Sequence, residues 1–251
     1  SVTQVDESQD ASRSAVRYRL EPRALEGFRI GRFQVLEKVG EGGMGVVFSA
    51  YDEQLDRKVA VKLVLASSHE KPRYQRRLLE EARAMAKLEH PNVASVYEVG
   101  EYEGGVFVAM EFVRGRTVRK WLEDKPSLEA ILDVFVQAGR GLAAAHEAGF
   151  VHRDFKPSNA MIDERTTVRV MDFGLARLDR PGAPAGRGAG DLAQLPAQRV
   201  DTFAGRLAGT PAYMSPEQFD LQAATPRSDQ YAFCVSMHEA LFGERPFSGE
   251  S

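Results

Sequence analysis

His152-Arg153-Asp154-Phe155-Lys156-Pro157-Ser158-Asn159, followed by Asp172-Phe173-Gly174, is the most informative run in this chain. It sets two acids, an amide and a lysine at spacings that suit the handling of a metal-bound triphosphate beside a hydroxyl. Asp154 is the candidate general base, and a positioned base contributes roughly 10²- to 10⁴-fold in rate. Positioning and charge neutralisation must supply most of the rest. Lys156 can neutralise a transferring phosphoryl group. Asn159 can offer an oxygen to magnesium, and Asp172 adds a harder carboxylate oxygen to the same metal region. Each has a plainer reading as well, since Asp and Asn cap loops and Asp-Phe-Gly can be only a turn.

Upstream, Gly40-Glu41-Gly42-Gly43-Met44-Gly45-Val46-Val47 places glycines between two apolar runs. Glycines let backbone amides approach phosphate oxygens with no β-carbon in the way. The run alone fits a glycine-rich hairpin equally well. A dinucleotide-binding reading needs a helix after the last glycine, but Val46-Val47-Phe48 continues as strand. Val59 to Val64 reads as a third strand carrying Lys62, a point charge suited to phosphate oxygens and, taken alone, an exposed strand lysine.

Residues 72–88 read as a helix, with Leu78, Ala82, Met85 and Leu88 on one face and Glu81 flanking it. Val93–Tyr97 and Val106–Phe112 read as two more strands around Gly104-Gly105, completing a five-stranded antiparallel sheet with one helix. The remainder is mainly helical. Ser127 caps a helix with Glu129 in its first turn and a buried stripe of Ile131, Phe135, Ala138, Leu142 and Ala145, closed by Gly149. Residues 179–200 are flexible by composition, and a last helix runs from about Ser228 to Phe242, with Gly243 at its end. Residues 1–27 form a polar leader, and no internal repeat is present.

The His152–Asn159 run, Asp172-Phe173-Gly174 and the glycine turn together resemble the protein kinases, over roughly Phe28 to Ser251. The resemblance implies an α+β, two-lobed fold, with a small lobe over 28–113 and a larger, mainly helical lobe over 114–251. It implies ATP with Mg²⁺ (Mn²⁺ being an alternative) and phosphoryl transfer as the reaction. Lys62, Glu81, Asp154, Asn159 and Asp172 should converge on one cleft, with Glu81 the ionic partner of Lys62. Gly40, Gly42, Gly43 and Gly45 would cover the phosphates. Val47 and Ala60 would face the adenine from one side and Met161 from the other. Met110, Glu111 and Val113 fall at the lobe connection, Met110 controlling the depth of the slot.

Gly209-Thr210-Pro211-Ala212-Tyr213-Met214-Ser215-Pro216-Glu217 resembles the substrate-side segment of serine/threonine kinases, with Ser215 where the family has Ala. With Lys156 it implies Ser/Thr acceptors on protein substrates. Thr210 is expected to be a structural hydroxyl near Asp154 and Lys156. Asp229 would brace the catalytic-loop backbone. Arg153 would clamp a phosphate on the activation segment, with Thr202 the autophosphorylation site and a homodimer serving trans-autophosphorylation. Glu-Gly-Gly-Met-Gly and the Thr210–Glu217 segment look most like the bacterial kinases of eukaryotic type. Cys234, where the family often has Gly, is expected to be a buried small hydrophobe. The chain ends at Ser251, soon after the helix of Asp229, where the family continues with further helices, one bearing an arginine that pairs with the position of Glu217. The expectation is a catalytic domain truncated near the end of its large lobe.

Composition agrees with this reading. Over 251 residues, a hydrophobic share of 43% suffices for real cores, and a net charge of −3 leaves no basic footprint for nucleic acid. One cysteine excludes an internal disulfide, and no apolar run is long enough to span a membrane. A cytoplasmic location is the expectation, with any membrane anchor outside this sequence. Two alternatives stay open. One is a pseudokinase or nucleotide-binding scaffold, against which Lys62, Asp154, Asn159 and Asp172 all speak. The other is a small-molecule kinase, whose members usually lack the Thr210–Glu217 segment.

Overall fold

The computed structural model describes residues 27–42, 45–64, 71–173, 210–220 and 222–247. Residues 1–26 of the leader, Gly43, Gly174, the 179–200 run and Thr202 lie outside them. Two compact units divide the chain. The first holds the residues up to Leu79 together with Val96–Phe112, and the second holds Glu80–Ser95 and the residues from Val113 onward.

The first unit is built on one antiparallel sheet of six strands: β1 (Arg29–Ile30), β2 (Phe33–Gly42), β3 (Gly45–Asp52), β4 (Arg57–Val64), β5 (Val96–Tyr102) and β6 (Gly105–Glu111), in the order β1-β2-β3-β4-β6-β5. Period-2 patterning dictates its faces. Val46, Phe48 and Ala50 of β3, Val59, Val61 and Leu63 of β4, and Phe107 and Ala109 of β6 turn to one side. There they form a core with Ile30, Phe33 and Val35. Phe33 and Phe107 meet edge-on at 6.0 Å within it.

Two expectations are corrected here. The sheet has six strands rather than five, because Arg29–Ile30 adds a short edge strand against β2. The strand expected over Val93–Tyr97 is shifted to Val96–Tyr102. Gly100 lies over the Phe107 ring of β6, where an added β-carbon would come within 2.5 Å of ring carbon. The strand therefore continues past Glu98. Val93 instead makes a single parallel bridge to Val170 in the second unit.

Helix α1 (Lys71–Met85) buries Leu78, Ala82 and Met85, the stripe read from its spacing. The second unit then carries β7 (Gly115–Thr117), α2 (Val118–Leu122), α3 (Leu128–Glu147), β8 (Ala160–Asp163), β9 (Val168–Val170), α4 (Pro216–Phe219) and α5 (Pro226–Phe242). A second sheet, β7-β8-β9, interrupts the helical region and went unread in the sequence because its strands are only three or four residues long.

Helix α3 starts where Ser127 Oγ accepts the Ala130 N–H at 3.2 Å. It ends as Gly149 turns to φ +83 and Phe150 donates back to Ala145 at 2.8 Å. Its buried face includes Gly141, where an added β-carbon would meet the Asn92 carbonyl at 2.4 Å. That close approach holds α3 against the segment carrying Asn92, whose side chain donates to Val168 O at 2.9 Å. Helix α5 begins two residues earlier than expected, because Thr225 and Ser228 form a reciprocal cap. It ends on Gly243 at φ +77. Cys234 on α5 is exposed among the described residues, contrary to its expected burial, because the buried stripe runs through Ala232, Val235 and Ser236 instead.

Candidate active site

The loop from His152 to Asn159 is held by both main-chain and side-chain bonds. Asp229, buried near the start of α5, accepts the His152 N–H at 2.6 Å on Oδ2 and the Arg153 N–H at 2.7 Å on Oδ1. His146, at the last turn of α3, donates to the same Oδ2 at 2.7 Å. Three donors thus converge on one buried carboxylate, which offsets its loss of hydration. Arg153 adopts φ +71, a left-handed conformation that costs a non-glycine residue on the order of 1 kcal/mol.

His152 is fully buried between two aromatic rings, Phe173 at 4.7 Å and Phe155 at 5.8 Å. Its Nε2–H donates to the Met171 carbonyl at 2.8 Å, and its Nδ1 accepts the Asp154 N–H at 3.3 Å. Those partners require the neutral tautomer with the proton on Nε2. Burial accordingly pushes the imidazole below its ordinary pKa, against the nearby Asp229 and Asp154 carboxylates.

Asp154 is the hub of the site. Its Oδ2 accepts from Lys156 Nζ at 2.8 Å and from Asn159 Nδ2 at 3.3 Å, while its Oδ1 accepts the Thr210 N–H at 3.2 Å. Lys156 also donates to Thr210 Oγ1 at 2.5 Å. Thr210 therefore sits against Asp154 and Lys156. Asn159 Nδ2 donates further to the Asp154 main-chain carbonyl at 2.8 Å, which turns the amide oxygen away from Asp154.

Asp172 is tied to this loop through its neighbour. The Met171 N–H donates to the Asn159 carbonyl at 2.9 Å, and Asp172 itself stands at φ +63. The amide oxygen of Asn159 and the carboxylate of Asp172 are hard oxygen donors of the kind that suit Mg²⁺, which is bound through one or two such groups with phosphate and water completing its shell. Among the described residues no group of three or more His, Cys, Asp or Glu side chains is placed to hold a metal by protein ligands alone.

In the first unit the sheet register sorts the expected nucleotide-contacting residues. Val47 stands opposite Lys62, and Ala60 opposite Met110. By the period of two, Val47, Ala60, Lys62 and Met110 share the face opposite the Phe33–Phe107 core. Lys62 is buried, not the exposed strand lysine that its position alone suggested. Glu111 pairs with Val59 at the end of β6. Gly40 and Gly42 end β2, with Gly42 opposite Gly45. Gly45 at φ +137 would place a β-carbon 2.0 Å from the Leu63 carbonyl, so only glycine fits. In the second unit Val113 is buried, and Met161 of β8 pairs with Thr117 and Arg169.

Glu81, on α1, receives the Arg153 guanidinium at 3.2 Å. Burial raises the Glu81 pKa, with Arg153 opposing. Glu217 accepts from Ser228 Oγ at 2.6 Å, which lowers its pKa. Tyr213 is buried in the same segment, bonded to Glu239 and receiving Arg119 at 2.7 Å, and its hydroxyl is pushed up to about 12. Sequence reasoning passed over Gln218, which is buried and donates to the Arg153 carbonyl at 2.9 Å. Ser215-x-x-Gln218 is a capping-box spacing and was the available signal.

Residues 33–251 match the protein kinase domain family. The chain is 37% identical over 227 residues to the serine/threonine-protein kinase PknA of Mycobacterium tuberculosis, covering 88% of this chain and 49% of PknA. It is 35% identical over 230 residues to the serine/threonine-protein kinase PrkC of Bacillus subtilis, covering 90% of this chain and 33% of PrkC. The chain thus spans about half of the first relative and a third of the second. Among solved structures, the kinase domain of M. tuberculosis PknI shares the fold, with a TM-score of 0.66 at 23% identity over 92% of this chain and 80% of that one. The chain belongs to the protein kinase family, on its eukaryotic-type serine/threonine branch found in bacteria.

Proposed function

We propose that the protein transfers the γ-phosphoryl group of ATP to Ser and Thr hydroxyls of protein substrates. The observation that carries the reading is the cluster on Asp154, whose carboxylate, with Lys156, Asn159 and Thr210 hydrogen-bonded around it, is held in one orientation. In the reaction, the acceptor oxygen forms a bond to the γ-phosphorus as the bond to the β–γ bridging oxygen breaks. The acceptor's proton passes to Asp154, and ADP leaves. Lys156 neutralises charge on the group in transit. Bound Mg²⁺ would neutralise charge on the triphosphate, held by Asn159 and Asp172. Lys62 would bridge phosphate oxygens, and Glu81 would exchange its Arg153 contact for Lys62 when the nucleotide binds. The glycines of 40–45 would cover the phosphates, and Val47, Ala60, Met110, Glu111, Val113 and Met161 would line the adenine slot.

In this reading 28–113 form the small lobe and 114–251 the large lobe, and the protein works in the cytoplasm as a non-specific serine/threonine kinase. Arg153 would receive a phosphate on Thr202, added in trans within a homodimer. The decisive assay is transfer of labelled phosphate from Mg-ATP to a generic protein substrate. Turnover by the wild type that is abolished in Asp154→Asn supports the enzyme. ATP binding without transfer would identify the nucleotide-binding scaffold instead. Mass spectrometry after incubation with Mg-ATP should find phosphate on Thr202.

A further inference from the structure

Gln218 joins two segments that the proposed chemistry treats separately. Its Oε1 accepts the Ser215 N–H at 3.1 Å and the Ser215 hydroxyl at 3.2 Å, while its Nε2 donates to the Arg153 carbonyl at 2.9 Å. Both Gln218 and Ser215 are buried, at 3% and 1% exposure, so none of these groups has water as a ready substitute. Two of the three partners have fixed polarity. A main-chain N–H can only donate and a main-chain carbonyl can only accept. The residue at 218 must therefore present an acceptor toward Ser215 and a donor toward Arg153 at once, which among side chains of this length a glutamine amide does at any pH and a glutamate only when protonated.

The bond falls at a critical peptide. The unit between Arg153 and Asp154 has its carbonyl edge held by Gln218 and its N–H edge held by His152 Nδ1 at 3.3 Å. The preceding peptide is held through the Arg153 N–H by Asp229. Arg153 lies between them at φ +71, a conformation that persists only where its surroundings over-determine it. The plane of the 153–154 peptide sets the direction in which the Asp154 side chain leaves the backbone.

We propose that Gln218 is a positioning residue for Asp154, acting through the Arg153 carbonyl and carrying the geometry of the Ser215–Gln218 turn into the catalytic loop. This rests on the reading of Asp154 as the base that receives the acceptor's proton. Small misplacement of a reacting group costs on the order of 100-fold in rate. The effect should therefore lie in kcat for the acceptor, while ATP binding is untouched.

Three variants of the purified protein test this. Gln218→Met keeps volume and removes all three side-chain hydrogen bonds, and should lower kcat about 10- to 100-fold with ATP affinity within about twofold of wild type. Gln218→Glu keeps the acceptor toward Ser215 but faces the Arg153 carbonyl with a second oxygen, which can donate only when protonated. Its activity relative to wild type should therefore rise as pH falls from 8 to 6. Asp154→Asn, run in parallel, tests the underlying reading, and turnover surviving in that variant removes the base whatever Gln218 does. If Asp154→Asn is inactive while Gln218→Met retains wild-type kcat, the positioning role alone is overturned. Should Gln218→Met fail to fold, Gln218→Glu decides, and a pH-independent activity ratio overturns the role.

Discussion

Arg153 donates from Nη1 to the Glu81 carboxylate at 3.2 Å, joining the residue before Asp154 to helix α1. Each side chain was expected to have a different partner, Lys62 for Glu81 and a phosphate for Arg153. The pair is about four-fifths buried on each side, at 21% and 20% side-chain exposure, so it is screened less than a surface pair. A double-mutant cycle of Glu81→Gln and Arg153→Met in urea unfolding should give a coupling of about 0.5–1 kcal/mol at pH 8. Additive single effects would show that the contact contributes nothing.

Asp229 should be among the costliest single sites. Removing its carboxylate leaves the His152 and Arg153 N–H groups and the His146 imidazole without their acceptor. Asp229→Ala should lose about 3–5 kcal/mol in unfolding free energy. Asp229→Asn, which keeps one acceptor oxygen, should lose less. Equal stability of Asp229→Ala and wild type would contradict the bracing role.

His152 should make stability depend on pH below neutrality. Its folded pKa lies below the ordinary 6.5, so as pH falls through that value the unfolded chain takes up a proton that the folded chain refuses. The stabilisation is complete above about pH 6.5 and declines as pH drops toward the folded value. Glu81, raised by burial, acts with the opposite sign just above its ordinary 4.5, and comparison with a variant separates the two. His152→Phe keeps the packing between Phe155 and Phe173 and should flatten the fall in Tm between pH 7.5 and 5.5. An unchanged slope would show that His152 does not titrate between the two states.

Two glycines of α3 should respond in opposite directions. A β-carbon at Gly141 would stand 2.4 Å from the Asn92 carbonyl, whereas at Gly139 it would meet only the Phe233 ring at 3.6 Å. Gly139→Ala should gain up to about 1 kcal/mol from helix propensity. Gly141→Ala should lose about 1–3 kcal/mol despite the same propensity gain. Thermal melts of both variants decide it.

Much of the framework could be read before any coordinates. The stripes on α1 and α3 were legible because three- and four-residue spacing projects directly onto one helix face. The Ser127 cap and the Gly149 and Gly243 ends were legible because capping chemistry is local. The strands over Val59–Val64 and Val106–Phe112 followed from short apolar runs bounded by turn residues. The limits of β5 did not, because Gly100 is needed for its fit over Phe107, a neighbour seven residues on that alternation cannot reveal. The short β7, β8 and β9 offered too few residues to show a period.

For the site, residue types and spacing marked Asp154, Lys156, Asn159 and Asp172, because their chemistry is written in side chains a few residues apart. Which groups they touch depended on chain segments far from them in sequence: Asp229 beneath the loop, Thr210 against Asp154, and Arg153 against Glu81. Lys62, an exposed strand lysine when taken alone, is buried, and Gln218, which drew no reading, holds the Arg153 carbonyl. Local order is encoded in neighbours along the chain, whereas burial and polar partnership arise only when distant segments pack, since a donor's need for an acceptor does not specify which one folding will bring to it.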